Sequence, residues 1–214
     1  MKTNITEMVF ILDRSGSMCG LEKDTVGGYN SMLAKQKAID APANVTTVLF
    51  DDKYELLHDR ADIKAVSPIT EDEYYVRGST ALMDAIGKTI VKIESSQKHI
   101  SDEYKADNVV IVIITDGMEN ASIEYSSSKV KEMIEVKEKE NGWEFIFLGA
   151  NIDAVSTAVE MGMRPERAVN YHADKEGVSL NFKRLSKLIG GVRENLGFSE
   201  DWRDEIDEDF NFRK

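Results

Sequence analysis

A chain of 214 residues, 42% of them hydrophobic and 31% charged, can build one sizeable core but not several independent domains. Its 39 Asp and Glu outnumber 27 Lys and Arg, and the formal charge of -12 disfavours nucleic acid and anionic membrane surfaces as partners while suiting cations or basic proteins. A single cysteine, Cys19, excludes an internal disulfide and a cysteine-rich zinc site, and it suits a reducing, cytoplasmic compartment.

Residues 8–12 form the first apolar run and read as a strand. The run is too short for the core of a signal peptide, and no later one approaches the length of a membrane span, so neither export nor insertion is expected. A helical segment follows at 21–38. Runs at 45–50 and 54–58, separated by Asp51, Asp52 and Lys53, have hairpin spacing and predict one antiparallel strand. In the helix predicted over 81–95, Leu82, Ile86, Ile90 and Ile93 recur every three or four positions, giving one apolar stripe to lay on a sheet. Residues 109–114 are apolar at every position, the pattern of a central strand covered on both faces.

Beyond it lie a helix at 127–140, a strand at 143–148, a helix at 153–161, a weaker edge strand at 168–171 and a helix at 179–195. The alternation predicts an α/β fold, a doubly wound, mostly parallel central sheet with one antiparallel edge strand and helices on both faces. In the last helix, Gly190 and Gly191 each cost about 1 kcal/mol relative to alanine and predict a break or a cap. No internal repeat or proline-rich linker divides the chain. The one boundary falls near Gly197, between a domain at 1–197 and an acidic tail at 198–214. The tail carries Phe198, Trp202, Ile206, Phe210 and Phe212 at helix-like spacing and is expected to pack on the domain's own surface.

Three segments bring oxygen side chains to the ends of these elements. Asp13-Arg14-Ser15-Gly16-Ser17 follows the first strand, Gly78-Ser79-Thr80 precedes a helix, and Thr115-Asp116-Gly117 ends the most apolar strand. Ligands of open α/β sheets collect outside the carboxyl ends of the strands, where all three segments can sit. One carboxylate and two hydroxyls at alternate positions suit a hard cation, although the same residue types also serve helix caps and turns.

In order and in context, Asp13, Ser15, Ser17, Thr80 and Asp116 resemble the metal-ion-dependent adhesion site of von Willebrand factor A domains, and the resemblance spans roughly residues 6–197. It implies direct ligation by the Ser15 and Ser17 hydroxyls. Thr80 would bind directly or through water, and Asp13 and Asp116 often through water. The implied occupant is Mg²⁺, with Mn²⁺ able to substitute. The implied partner is a protein whose Asp or Glu carboxylate completes the coordination shell, because a site with few bound charges leaves its cation electrophilic. The character of residues 77–86 resembles that of bacterial and phage intracellular members, which implies a cytoplasmic, bacterial setting.

Two other readings stay open. A Mg²⁺-dependent phosphohydrolase or phosphotransferase of the strand-end aspartate type carries a second Asp two residues on, where this chain has Ser15, and no phosphate-loop, dinucleotide or nucleophile-elbow motif is present. The expected protein is therefore not an enzyme. The third reading is a structural module whose site is filled within its own oligomer. Asn151, Asp153, Glu119 and Asn120 either cap helices or flank the metal and select the partner, with capping favoured for Asn151 and Asp153. His58, His99 and His172 show no ligand spacing, and Cys19 reads as an inert small residue.

Overall fold

In the computed structural model, which describes residues 4–213, the apolar runs become six strands: β1 (Thr6–Asp13), β2 (Ala43–Phe50), β3 (Tyr54–Asp62), β4 (Asn108–Thr115), β5 (Glu144–Gly149) and β6 (Ala168–Asn170). They pair in the order β3-β2-β1-β4-β5-β6. All pairings are parallel except that of β3, which returns antiparallel from β2 at the sheet edge. The helices are α1 (Glu22–Lys37), α2 (Leu82–His99), α3 (Ser127–Asn141), α4 (Ala154–Glu160), α5 (Lys175–Arg193) and α6 (Asp204–Phe212).

Alternate residues of each central strand serve opposite faces, so strands covered on both sides must be apolar throughout. From β1, Met8, Phe10 and Leu12 join Tyr29 and Leu33 of α1 and Phe182 and Leu185 of α5. Val9 and Ile11 point the other way, into a core with Ile86 and Ile90 of α2 and Val130 and Ile134 of α3. The strand order reverses between β1 and β4, whose register pairs Leu12 with Ile114. That register brings the ends of both strands to one point of the carboxyl rim.

The helix expected over 179–195, which is α5, departs from expectation. It starts at Lys175, where the Asp174 side chain caps it by accepting from Gly177 N, and it runs unbroken through Gly190 and Gly191 to Arg193. Gly191 serves close approach, whereas a Cβ on Gly190 would meet ordinary van der Waals contact. A Cβ on Gly190 would lie 3.4 Å from Ile39 Cδ1, and one on Gly191 would lie 3.2 Å from the Gly197 carbonyl oxygen. Packing of the end of α1 and of the returning chain thus overrides the local propensity cost.

After Gly197 the chain makes a 3₁₀ turn at Glu200–Arg203 and then α6. Trp202 and Ile206 enter the core on the α5 side, and the Trp202 indole N–H donates to the Glu166 carbonyl at 3.0 Å. The Arg184 guanidinium donates to the carbonyls of Trp202 and Asp201 and to Glu205. The tail packs on the domain, leaving Phe212 exposed. Among the described residues no helix is long and apolar enough to cross a membrane.

Candidate metal centre

Asp13 ends β1 and is fully buried. Its Oδ1 accepts from Ser15 N and its Oδ2 from Thr115 Oγ1, both at 2.6 Å, so one carboxylate ties the loop after β1 to the end of β4. The buried Tyr74 hydroxyl donates to the Asp13 carbonyl. The Ser15 and Ser17 hydroxyls lie 2.9 Å apart. A Cβ on Gly117 would meet Ser17 Oγ at 2.8 Å and Thr80 Oγ1 at 3.1 Å, so hydroxyls from two separate loops rest against the same bare stretch of backbone beside Asp116. The structure therefore brings together all five residues singled out in the sequence.

The electrostatics favour a cation. Burial pushes the Asp13 carboxyl up to about 6 against the hydrogen bonds from Thr115 and Ser15, and the nearby Asp116 charge adds to the rise. Burial also raises Asp116, with the Ser17 hydroxyl opposing. Asp116 Oδ1 is buried and has no hydrogen-bond partner, an arrangement that native interiors rarely leave uncompensated. Among the described residues no three His, Cys, Asp or Glu side chains gather. The donor set is thus three hydroxyls and two carboxylates, all oxygen, and it fits a hard divalent ion such as Mg²⁺ or Mn²⁺. Ser17 is exposed, so the site opens to solvent.

An ionic frame centred on the buried Arg14–Asp51 pair, which the sequence did not reveal, holds the loop. Arg14 is fully buried, and its guanidinium donates to Asp51 Oδ2 at 2.9 Å and to Glu55 Oε2 at 2.6 Å. Arg77 donates to the same Asp51 oxygen at 2.7 Å. The Tyr75 ring lies against both guanidinium groups, at 5.0 and 5.2 Å from ring centroid to Cζ. Burial works to raise the Asp51 pKa, but the bonds from Arg77, Lys53 N and Arg14 outweigh it and hold the carboxyl below its usual range. Main-chain bonds from Gly16 N to Gly78 O and from Arg77 N to Arg14 O then fasten the first loop to the segment that carries Thr80. The sequence offered only a lone charged residue inside the Asp13–Ser17 loop, because its acidic partners lie 37 to 41 residues away.

Of the four ambiguous polar residues, Asp153 and Glu119 satisfy amides in the first turns of helices, Asn120 holds the segment that carries Thr80, and Asn151 does neither. Asn120 Oδ1 accepts from Thr80 N, and Glu119 Oε2 accepts from Met83 N. Asp153 caps α4 by accepting from Ser156 N. Asn151 is no cap: it occupies a left-handed turn at φ 56° and is exposed. His58, His99 and His172 have separate partners in Thr47, Ser95 and Phe210. Cys19 is exposed.

Asp84 was missed in the sequence because it sits on an apolar helix. Its carboxylate accepts from the amides of Ile123, Glu124 and Tyr125 at 2.8 to 3.0 Å and fixes the loop after Asp116 to α2. Asp84→Ala is expected to cost about 2 kcal/mol in urea unfolding near neutral pH. Burial opposes ionisation of Asp84, but the three amide bonds outweigh it and its pKa falls below the ordinary 3.8. This stabilisation is therefore complete above the ordinary value and lost as pH falls through the lower folded value. The wild type should lose stability on acidification more steeply than Asp84→Ala, and parallel acid limbs would refute the assignment.

No protein-family model matches the chain, and neither does any curated protein. Solved structures do. The D319A mutant of the PilB minor pilin from Streptococcus sanguinis matches at 14% identity and TM-score 0.65, over 93% of this chain and 64% of that one. A von Willebrand factor type A protein from Catenulispora acidiphila matches at 14% identity and TM-score 0.60, over 87% of this chain and 43% of its own. Proximal thread matrix protein 1 from the mussel byssus, with a zinc-occupied MIDAS motif, matches at 16% identity and TM-score 0.58, over 88% of this chain and 46% of its own. The chain thus spans less than two thirds of each of these structures, and what they share with it is a von Willebrand factor A-like fold.

Proposed function

We propose that this domain is a divalent-cation-dependent protein-binding module, of adhesion or scaffold kind, and not an enzyme. Ser15, Ser17 and Thr80 would hold Mg²⁺, or Mn²⁺ in its place, with Asp13 and Asp116 behind them. When bound, the cation supplies an electrophilic point that seeks an anionic oxygen from outside, and a partner's Asp or Glu carboxylate suits it. The observation that carries this reading is the buried, unpartnered Asp116 Oδ1 beside the hydroxyls of a solvent-facing loop. The zinc-occupied motif of the mussel protein supports metal binding in this fold.

Two further features favour recognition over chemistry. Both oxygens of Asp13 are engaged, by Ser15 N and Thr115 Oγ1, which is a poor arrangement for a strand-end nucleophile. Met118 and Ile123, on the loop after Asp116, are 74% and 90% exposed and offer apolar contact to a partner. The single cysteine supports a cytoplasmic location, and the resemblance of residues 77–86 supports a bacterial one.

The test is capture on immobilised protein in Mg²⁺, followed by elution with chelator. Wild type should retain a protein that Ser15→Ala does not. A Met118→Ser, Ile123→Ser double variant should keep cation binding while weakening capture about tenfold. Capture that survives chelator or Ser15→Ala would overturn the proposal. A concentration-dependent mass that appears only with Mg²⁺ would instead favour a site filled within the protein's own oligomer.

A further inference from the structure

The seam between α1 and α5 carries lysines that ion pairing does not account for. Elsewhere the exposed lysines are dispersed, and among the described residues Lys98, Lys129 and Lys131 each face an acid on their own helix. Along the seam, Lys23 and Lys35 of α1 and Lys175 of α5 are exposed and form no ion pair with any described residue. Lys183 shares the groove and pairs with Glu205, and Lys187 extends it. The nearby acids are mostly engaged: Glu22 accepts from Gly20 N, and Asp174 and Glu176 pair with Arg213. Among the described residues Asp24 is the one acidic side chain lining this stretch of groove, and Glu194 lines its extension beside Lys187.

The geometry suits an elongated ligand. Both helices begin at the carboxyl rim of a parallel sheet and run the same way, and Lys23 and Lys175 fall in their first turns. Twelve residues separate Lys23 from Lys35, and twelve separate Lys175 from Lys187. At 1.5 Å per residue the two lysine positions of each helix lie about 18 Å apart along its axis, the span of about five or six residues of extended chain. Between them lies a groove of about 340 Å³ with Gly27, Ser31, Ser179 and Phe182 in its walls. The groove is shallow because Gly28 lets the helices close on each other: a Cβ there would lie 2.3 Å from the Phe182 ring.

We infer that this seam is a docking groove for an acidic, extended segment of a protein partner, separate from the metal centre. Charge complementarity selects the occupant. A local run of Asp and Glu matches the lysines that line the groove, whereas a nucleic acid would carry its continuous charge past the groove onto the surface of a chain with net charge -12.

The experiment follows fluorescence anisotropy of a labelled Glu-Ser repeat peptide at low ionic strength. Wild type should bind it saturably, and added salt should release it. A Lys23→Gln, Lys35→Gln, Lys175→Gln variant should bind about tenfold more weakly. Lys53→Gln with Lys139→Gln, which removes two exposed lysines elsewhere that also lack ion pairs, should change nothing. Chelator and Ser15→Ala should also leave peptide binding intact, which separates this groove from the cation site. Four results would overturn the inference: no binding, equal loss in the control variant, tighter binding of a single-stranded oligonucleotide of matched charge, or lysine-dependent self-association in place of peptide binding.

Discussion

Arg14→Met should lower the stability of the domain by about 3 kcal/mol and weaken its cation binding, although the Arg14 side chain contacts none of the five metal-site residues. The substitution keeps the volume but leaves Asp51 buried with one guanidinium instead of two, and truncating one partner of a buried ion pair typically costs about 3–5 kcal/mol. Arg77 and the Lys53 amide remain on Asp51, which places the expected loss at the lower end. The link to the site is covalent and short. Arg14 lies between Asp13 and Ser15, and its main chain is held from both sides by Phe50 O and Arg77 N. Releasing the side chain should let the two hydroxyls drift relative to Thr80. Arg14→Lys should recover part of the charge but not the fork that reaches Asp51 and Glu55 together. Urea unfolding and Mn²⁺ titration of the same samples check both halves, and a loss under about 1 kcal/mol would show that Arg77 alone suffices.

Trp202→Ala should be costlier, about 3–5 kcal/mol, because it empties a site at which the indole is only 2% exposed. The loss would extend beyond packing. The indole N–H satisfies the Glu166 carbonyl next to β6, and Arg184 is anchored on the Trp202 and Asp201 carbonyls. Truncation after Gly197 should be worse still, since it uncovers the surface under Ile206 and strips Arg184 of every hydrogen-bond partner it has among the described residues. Thermal melts of the point variant and the truncated chain decide the matter. An unchanged midpoint after truncation would make the tail a separable appendage, contrary to its burial.

The fold was readable because its information is local. The short, β-branched run at 109–114, apolar at every position, fits a strand covered on both faces, and the Asp51–Lys53 turn announces the antiparallel edge. The five candidate ligands were readable because each sits at the end of such an element. The frame around them was not, since Arg14, Asp51, Glu55 and Arg77 meet only after β2 and β3 fold beside β1. Asp84 was hidden for the same reason, its three partners lying some 40 residues on. Gly190 and Gly191 misled because propensity counts a missing side chain as a loss, whereas the helix is held by its packing and at Gly191 the space is taken by the chain at Gly197. Glu119 and Asn120 could not be assigned because capping and metal flanking use the same oxygen atoms.

The most direct test of the central claim is calorimetric titration of the purified protein with Mn²⁺ and Mg²⁺, beside Ser15→Ala and Asp116→Ala, with chelated protein as the blank. The arrangement of Ser15, Ser17, Thr80 and the unpartnered Asp116 oxygen predicts one saturable site in the wild type, weakened at least about tenfold in both variants. Absence of binding at about millimolar Mn²⁺, or equal binding by all three proteins, would contradict it.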